Sequence, residues 1–559
     1  MTLTPVDQGI GAANQPPDGH QSLDHAGKAA VGGLGANLGA NLGGVARGGV
    51  ANLVGAGFAG LSGIGVTWLV ARGLGPTHAG AFFAATAAFV LATGVAKLGA
   101  PTSLVYWPAR LRARGETDLL GACLRIGLSP VAVAGCALGA VLWLAAPELA
   151  RLTGGSGDSG GAATVAGVLR MLAVFLPVAA LTDALLSATR GYRTMRPTVL
   201  LDRIARPGLQ LAGIGGLAVA ALAAPVPVSA YPLAWVAPYA PVALLAAYQL
   251  RLIHAATPRD LATPALRGPR VRRLRRDFWR FAGPRAVATV AQLGLQRLDV
   301  LLVAALAGLP AAAMYAVAGR FVVLGQFANQ GISQAVQPRL AEALSTADRD
   351  GANALYRAAT GWLVLLTWPL YLLVLAFAPL YLRLFGDAYA DGGRIVAVLA
   401  AAMLLASGCG MVDMVLAMGG RTTWNLANVA LALAVTVGVD LALIPRLGAL
   451  GAAIGLAAAL AVNNLLPLAQ VGWALRVHPF GRGTLVAAAL ATACFGAVPA
   501  ALLAAGAGPV VLCAGMGLAA VAYLAGAYAL RRPLRLDALA ALRRLDRRNS
   551  AGSARQMEV

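Results

Sequence analysis

The sequence predicts an all-α polytopic membrane protein with about 14 transmembrane helices, and three observations support this fold class. Of 559 residues, 59% are hydrophobic and only 12% are charged, whereas soluble domains carry about 25% charged residues. Apolar runs of about 20 residues, the length that crosses a bilayer, recur along the chain. The formal net charge of +22 comes mainly from arginines between those runs. This placement is typical of basic cytoplasmic loops and disfavours a nucleic-acid-binding protein.

The first six apolar runs predict an N-terminal six-helix lobe at 48–250. Its spans are expected near 48–71, 80–105, 121–146, 164–189, 197–221 and 227–250. The segment 1–47 before it is rich in Gly, Ala, Asn and Pro, and this composition predicts a disordered cytoplasmic tail. Residues 251–283 predict a basic cytoplasmic linker to the next lobe.

A second six-helix lobe is predicted at 284–474. Its spans are expected near 284–307, 311–335, 358–382, 394–418, 424–444 and 449–474. Two additional transmembrane helices, near 484–506 and 508–530, account for 475–530. A basic tail at 531–559 follows them and is expected to lie on the cytoplasmic face.

The arginines alternate between the two sides of this arrangement. One set of loops holds Arg110, Arg112, Arg114, Arg190, Arg193, Arg196, the run from 259 to 280, Arg339, Arg349, Arg357, Arg421, Arg476 and Arg482. The alternate loops hold few arginines. By the positive-inside rule, the rich side and both termini are cytoplasmic. The Ala-, Gly- and Arg-heavy composition favours a bacterial cytoplasmic membrane.

Two sequence matches indicate an internal repeat. Residues 70–82 align with 303–315, and residues 191–194 align with 419–422. Each matched pair falls at corresponding loops of the two lobes. Because each lobe has an even number of helices, the repeats would be parallel and would enclose a central cavity between them.

Six short motifs, taken in order, resemble those of bacterial oligosaccharide and polysaccharide flippases. These proteins form part of the multidrug/oligosaccharidyl-lipid/polysaccharide exporter superfamily. The motifs lie at 69–82, 296–302, 314–320, 337–340, 384–389 and 444–453.

The resemblance implies a cavity between two six-helix lobes and a transport function. The cargo would be a lipid-linked oligosaccharide, of the undecaprenyl pyrophosphate type, moved from the cytoplasmic to the outer leaflet by alternating access. Such export serves cell-surface polysaccharide assembly. The expected partners are this lipid, membrane lipids, a polysaccharide polymerase and glycosyltransferases; neither nucleic acid nor a cofactor is expected.

Cationic side chains inside the predicted spans are candidates for binding the anionic headgroup. A charge within a span is costly unless it is paired or faces a wet cavity, and guanidinium groups bind phosphate oxygens well. The candidates are Lys97, Arg203, Arg206, Arg297 and Arg320. The alternatives are that Arg203 and Arg206 reach the cytoplasmic interface, and that Lys97 pairs with a neighbour.

Asp299 and Asp413 are candidates for a coupling-cation site. A carboxylate in the middle of a span could bind sodium or a proton and couple transport to its gradient. Asp299 and Arg297 lie two positions apart on a helix, so their side chains point to different sides. The alternative role of Asp299 is a structural salt bridge with Arg320.

Two other functions compete with the flippase hypothesis. A multidrug cation antiporter of the same superfamily would favour acidic and aromatic cavity walls, whereas the intramembrane charges here are mainly basic. A membrane enzyme would need clustered carboxylates or another catalytic constellation. The loops offer none, and the histidines and cysteines lack metal-ligand spacing.

Overall fold

A computed structural model describes residues 20–153, 159–257 and 268–536. The chain divides into two units, and the larger, Val50–Leu536, contains the site described below. Of the smaller unit, residues 20–49 are described, and they are helical. The first helix therefore begins within the segment for which the composition predicts a disordered tail; residues 1–19 lie outside the described ranges.

The first half of the described chain contains seven α-helices. They are α1 His20–Ala96, α2 Ala100–Ala113, α3 Leu120–Thr153, α4 Ser159–Gly191, α5 Arg206–Ala220, α6 Ala230–Val236 and α7 Tyr239–Ala255. A π-helical segment, Thr198–Ala205, leads directly into α5. Gly75 interrupts α1 with a positive φ of 71°, which divides it into two helices.

The second half contains twelve more α-helices among the described residues. They are α8 Pro269–Ala307, α9 Leu309–Ala318, α10 Val322–Ser345, α11 Arg349–Ala376, α12 Ala378–Phe385, α13 Gly393–Cys409, α14 Val412–Met418, α15 Thr422–Leu447, α16 Ala449–Ala474, α17 Arg482–Thr492, α18 Val498–Ala504 and α19 Pro509–Ala529. No strand occurs in the ranges that the structure covers, so the predicted all-α class is confirmed.

Eleven helices in the described ranges are long and apolar enough to cross a membrane, and twelve if the bent pair α9–α10 is one span. Two features account for the difference from fourteen. The continuous run Val54–Ala113 covers the first two predicted spans. The fifth predicted span falls on the π segment and α5, each too short alone. Every predicted span thus coincides with helix.

The helices pack in two groups. In the first, α4 packs against α2, α3, α6 and α7; in the second, α16 packs against α8, α9, α13 and α15. Helix α8 also contacts α2 and α3, so it joins the groups. The groups follow the predicted lobes along the chain, although the exact boundaries stay a prediction.

Helix α8 is longer than the sequence predicts. It begins at Pro269 and runs through Pro284 without a break, whereas the sequence places 269–283 in the linker and the start of the span at 284. Proline fits the first turn of a helix, and the arginine-rich turns after it are good helix formers. Few described residues of the predicted linker are therefore non-helical. Residues 258–267 of the linker are not among the described residues.

The C-terminal helices α17–α19 pack together and against α11. The indole N–H of Trp362 donates to the carbonyl of Leu534 at 3.1 Å, and the Leu534 side chain is buried. This contact fixes the chain just after α19 against α11. Residues 537–559 of the predicted basic tail lie outside the described residues.

Candidate functional site

A cavity of about 200 Å³ lies between the two groups of helices. One face of α1 forms part of its wall, through residues spaced three or four apart, as expected for one side of a helix. These are Ala59, Ser62, Gly63, Val66 and Thr67. The remaining wall comes from the second half of α1, from α5, α6 and α8, and from the turn between α9 and α10.

Three arginines line this cavity, and none of the described residues that line it is acidic. Arg206 begins α5, which packs against α6 of the first group of helices. Arg297 lies on α8 in the second group, and Arg320 occupies the bend of 41° between α9 and α10. The cavity is therefore basic, and both groups of helices contribute to its charge.

The guanidinium of Arg206 is held by two neighbours. It donates to Asp202 Oδ1 from Nη2 at 2.8 Å and from Nε at 3.2 Å. It also donates to the Tyr239 hydroxyl at 3.1 Å and lies over the Tyr239 ring, 5.0 Å from its centroid. Asp202 lies in the π segment, a rare conformation that is frequent at functional sites. Arg206 thus has a fixed position in the wall.

Arg297 and Arg320 differ from Arg206 because neither forms an ion pair with a described residue. The Nε atom of each is buried and has no hydrogen-bond partner in the described ranges. Arg320 lies over the ring of Phe83 at 5.9 Å. Two unpaired guanidinium groups in a low-dielectric cavity attract anions strongly.

Uncharged side chains complete the lining, and the sequence analysis did not identify them as functional. The polar ones are Ser62, Thr67, Thr86 and Gln210, and the aromatic ones are Phe82, Phe83 and Trp235. Gln210 lies one turn after Arg206 on α5, so this spacing could have revealed it. Aromatic residues are abundant in membrane helices, and no sequence signal separates Trp235 from lipid-facing rings.

The structure places the other two cationic candidates away from the cavity lining. Lys97 forms an ion pair with Asp183 of α4, which is the alternative role foreseen for it. Arg203 lies 3.8 Å from Asp202, measured from Nε to Oδ2, with about a third of its side chain exposed. Of the five candidates, Arg206, Arg297 and Arg320 are therefore brought together.

Asp299 is buried and bonded within its own group of helices. The hydroxyl of Tyr315, on α9, donates to Oδ2. The backbone N–H of Val300 donates to Oδ1 at 2.9 Å. The alternative salt bridge from Asp299 to Arg320 does not form.

Asp440, on α15, lies close enough to Asp299 to interact with it electrostatically. Its residue is fully buried, and neither carboxylate oxygen has a hydrogen-bond partner among the described residues. The Oγ1 of Thr436, one turn earlier, is likewise buried without a partner. A Cβ on Gly455 of α16 would lie 1.9 Å from Asp440 Oδ1, so only glycine fits there.

Asp413 lies elsewhere, on the short helix α14. Its carboxylate bonds the side chain of Asn463, and its backbone carbonyl accepts from Asn425 Nδ2 at 2.8 Å. No described contact connects it with Asp299. The carboxylate that the structure brings near Asp299 is Asp440 instead.

Two sets of contacts join the first half of the described chain to the second half. Trp68 Nε1 and Arg72 Nε donate to the Leu384 carbonyl at 2.7 and 3.0 Å. The rings of Tyr106 and Phe281 stack with centroids 4.6 Å apart. Each set consists of a few polar or aromatic contacts.

The cavity lies between two groups of helices, and both groups contribute charges to it. Residues 284–439 match the MatE family. No curated protein gives a significant match.

Several solved structures share the fold. One is a lipid II flippase, MurJ, in an inward closed conformation, with a TM-score of 0.66 and 13% identity over 86% of this chain and 98% of that one. Another is an inward-facing multidrug resistance MATE transporter, with a TM-score of 0.58 and 14% identity over 77% and 98%. A third is a superfamily transporter from Pyrococcus furiosus Vc1 described as having a binding pocket of reverse polarity. It gives a TM-score of 0.53 and 16% identity over 78% and 95%.

Residues 284–439 thus match the MatE family, and the chain shares its fold with transporters and flippases of the multidrug/oligosaccharidyl-lipid/polysaccharide exporter superfamily. The resemblance to this superfamily is thus confirmed. The protein is a multi-pass membrane protein, and the proteins it matches are transporters and flippases.

Proposed function

We propose that the protein is a flippase that exports a lipid-linked oligosaccharide of the undecaprenyl pyrophosphate type from the cytoplasmic to the outer leaflet. The observation that carries this proposal is the set of three arginines in the cavity, two of them without an anionic partner among the described residues. A pyrophosphate would supply the missing oxygens to Arg297 and Arg320 and would also reach toward Arg206 on the opposite group of helices. The similarity to a lipid II flippase supports a lipid pyrophosphate as the cargo.

Multidrug export of cations is the second candidate, because the fold also matches a multidrug resistance transporter. The aromatic wall at Phe82, Phe83 and Trp235 would suit a flat hydrophobic drug. Three arginines without an acidic lining residue would repel its positive charge, however. The sign of the cavity charge therefore favours an anionic cargo.

Coupling to a sodium or proton gradient is proposed to occur through Asp299. Asp440 supports this assignment because its carboxylate is buried within electrostatic range of Asp299 and has no described partner. A sodium ion would replace the missing interactions of Asp440, and a proton would remove its charge. Asp413 is the weaker candidate, since it lies on α14 in another environment.

Transport in this proposal occurs in a bacterial cytoplasmic membrane with both termini inside. The contacts at Leu384 and at Tyr106 would open in turn, so that the cavity faces one leaflet at a time. A glycosyltransferase would supply the lipid-linked substrate, and a polysaccharide polymerase would use it on the outer side.

Deletion of the gene tests the proposal directly. We expect undecaprenyl-linked oligosaccharide to accumulate in the inner leaflet and a surface polymer to disappear, with recovery when the gene is restored. The Arg297→Gln variant should not restore export although it reaches the membrane. Normal surface polymer combined with new sensitivity to cationic drugs would instead establish multidrug export.

A further inference from the structure

The wall of the cavity beside Arg206 contains an indole that other rings hold in place. Trp235, on α6, lines the cavity. The rings of Phe82, Phe89 and Tyr239 surround it with centroid distances of 6.2, 5.8 and 6.2 Å, all inclined at 62° or more. The Tyr239 ring is the one that lies under Arg206. The Tyr239 side chain therefore lies between the indole of Trp235 and the guanidinium of Arg206.

Two hydrogen-bonding groups that line the same cavity lack a complete set of partners. Ser62 is only 2% exposed, and its Oγ has no hydrogen-bond partner among the described residues. Gln210 donates from Nε2 to the Trp235 carbonyl at 2.7 Å, which directs its amide and leaves its Oε1 as an acceptor. A buried hydroxyl without a partner is destabilising, because nothing compensates for the loss of its hydrogen bonds to water. Its presence in a cavity wall indicates a ligand that supplies the partner.

Rigid aromatic rings and a few placed polar groups are the features of a site that binds small polar ring compounds. A sugar ring has an apolar C–H face, which packs on an indole, and hydroxyls at its edge. The hydroxyls match Ser62 and Gln210. The cationic side of the cavity begins at Arg206, one turn before Gln210 on α5.

We propose that Trp235, Gln210 and Ser62 form a saccharide subsite that binds the first sugar, the one joined to the pyrophosphate. This inference rests on the proposed flippase function and adds to it a site that distinguishes a glycosylated lipid from the bare lipid pyrophosphate. The arginines bind the phosphates of both lipids, whereas the subsite acts only on the glycosylated one. The protein would therefore select against export of an unloaded carrier.

Binding to the purified full-length protein in nanodiscs tests the subsite with two probes. One is undecaprenyl pyrophosphate, and the other is the same lipid carrying one N-acetylglucosamine. We expect the wild type to bind the glycosylated lipid about tenfold more tightly. Trp235→Ala should lose this difference and keep the affinity for the bare lipid, and Ser62→Ala should reduce the difference in part. Trp235→Phe should retain most of it, because a ring remains.

Control variants keep the outcome interpretable. Trp424→Ala removes a tryptophan that stacks on Trp473 outside the cavity, and it should leave both affinities unchanged. Melting temperatures identify a variant that fails to fold. If Trp235→Ala fails to fold, the affinities of Trp235→Phe and Ser62→Ala for the two lipids test the subsite instead. Equal loss of both lipids in Trp235→Ala, or an unchanged ratio, overturns the subsite while the flippase function stands. If the wild type binds neither lipid, or if Arg297→Gln changes neither affinity, the proposed function itself fails and the subsite with it.

Discussion

At the scale of single residues, the charged side chains within the predicted spans divide into those with ion-pair partners and those without. Lys97 is neutralised by Asp183, and Arg206 by Asp202. Arg297, Arg320 and Asp440 have no ion-pair partner among the described residues. A buried unpaired charge is costly, so these three are the residues at which a ligand would contribute most.

Arg297→Gln should weaken binding of undecaprenyl pyrophosphate about tenfold to a hundredfold, because a hydrogen bond to a charged group contributes about 1.5–3 kcal/mol. Arg320→Gln should have a similar effect. Equilibrium binding in nanodiscs measures both. Arg170→Gln is the matched control, since this arginine lies over Trp143 outside the cavity lining. Equal losses in the cavity variants and the control would contradict a specific anion site.

Asp440→Asn should raise the melting temperature of the protein and abolish the dependence of export on the cation gradient. The substitution removes a buried carboxylate that has no described partner and keeps its shape. Asp183→Asn, in contrast, should lower the melting temperature, because it leaves Lys97 without its ion pair. Thermal unfolding in detergent measures both. A lower melting temperature for Asp440→Asn would mean that the carboxylate is already satisfied, for example by a resident cation.

Sequence reasoning identified charged site residues better than uncharged ones. The sequence identifies Arg206, Arg297 and Arg320 because a charge within an apolar span is energetically costly unless it is paired or binds a ligand. The pairing of Lys97 with Asp183 depends on how α4 packs, which no local pattern contains. Ser62 and Trp235 have no such signal, since both residue types also occur on ordinary faces of membrane helices.

At the scale of secondary structure, close backbone contacts determine how α1 and the start of α2 meet the second group of helices. A Cβ on Gly80 would lie 1.9 Å from the Leu309 carbonyl oxygen at the start of α9. At Gly99, a positive φ of 71° and a Cβ position 2.4 Å from the Ala282 carbonyl both require glycine. These glycines allow the two groups to touch through their backbones.

Gly80→Ala should therefore lower both stability and export, because the helices must separate to admit one methyl group. Gly57→Ala, in the first half of α1, meets nothing within 4 Å. It should leave the protein unchanged or stabilise it by up to about 1 kcal/mol, since alanine favours helix over glycine. Melting temperature and export, measured for the two variants side by side, check the contrast. Similar behaviour of the two variants would show that the contact at Leu309 is easily displaced.

The helices themselves could be predicted more fully than their interruptions. Long apolar runs predict the spans, and the structure has helix at each of them. The π segment before α5 and the early start of α8 were not predicted. Proline at Pro284 reads as a boundary, yet α8 continues through it because neighbouring groups in a membrane protein can satisfy the freed carbonyl.

At the scale of the whole molecule, the distribution of arginines predicts the orientation in the membrane. In a variant freed of native cysteines, Arg114→Cys and Arg349→Cys should react with an impermeant maleimide only after cells are permeabilised. Arg383→Cys should react in intact cells, because Arg383, in α12, lies between the ninth and tenth predicted spans, on the side with few arginines. The opposite labelling pattern would reverse the orientation and with it the direction of export.

The overall architecture follows from the alternation of apolar runs and basic loops, whereas the contents of the cavity do not. Helix count and order constrain which segments meet, but the rotation of each helix about its axis decides which side chains line the space. Asp440 and Asp413 illustrate this: both are intramembrane carboxylates in the sequence, and only the packing of α15 against α8 brings Asp440 to Asp299.

The division of the three arginines between the two groups of helices has a consequence for leakage. Arg206, on one group, is paired with Asp202, whereas Arg297 and Arg320, on the other group, have no ion-pair partner among the described residues, so the cavity carries excess positive charge on one side. In the proposed transport cycle, this excess charge would disfavour closure of the groups around an empty site, and a bound polyanion would compensate it. The empty protein would then cycle less often and dissipate less of an ion gradient.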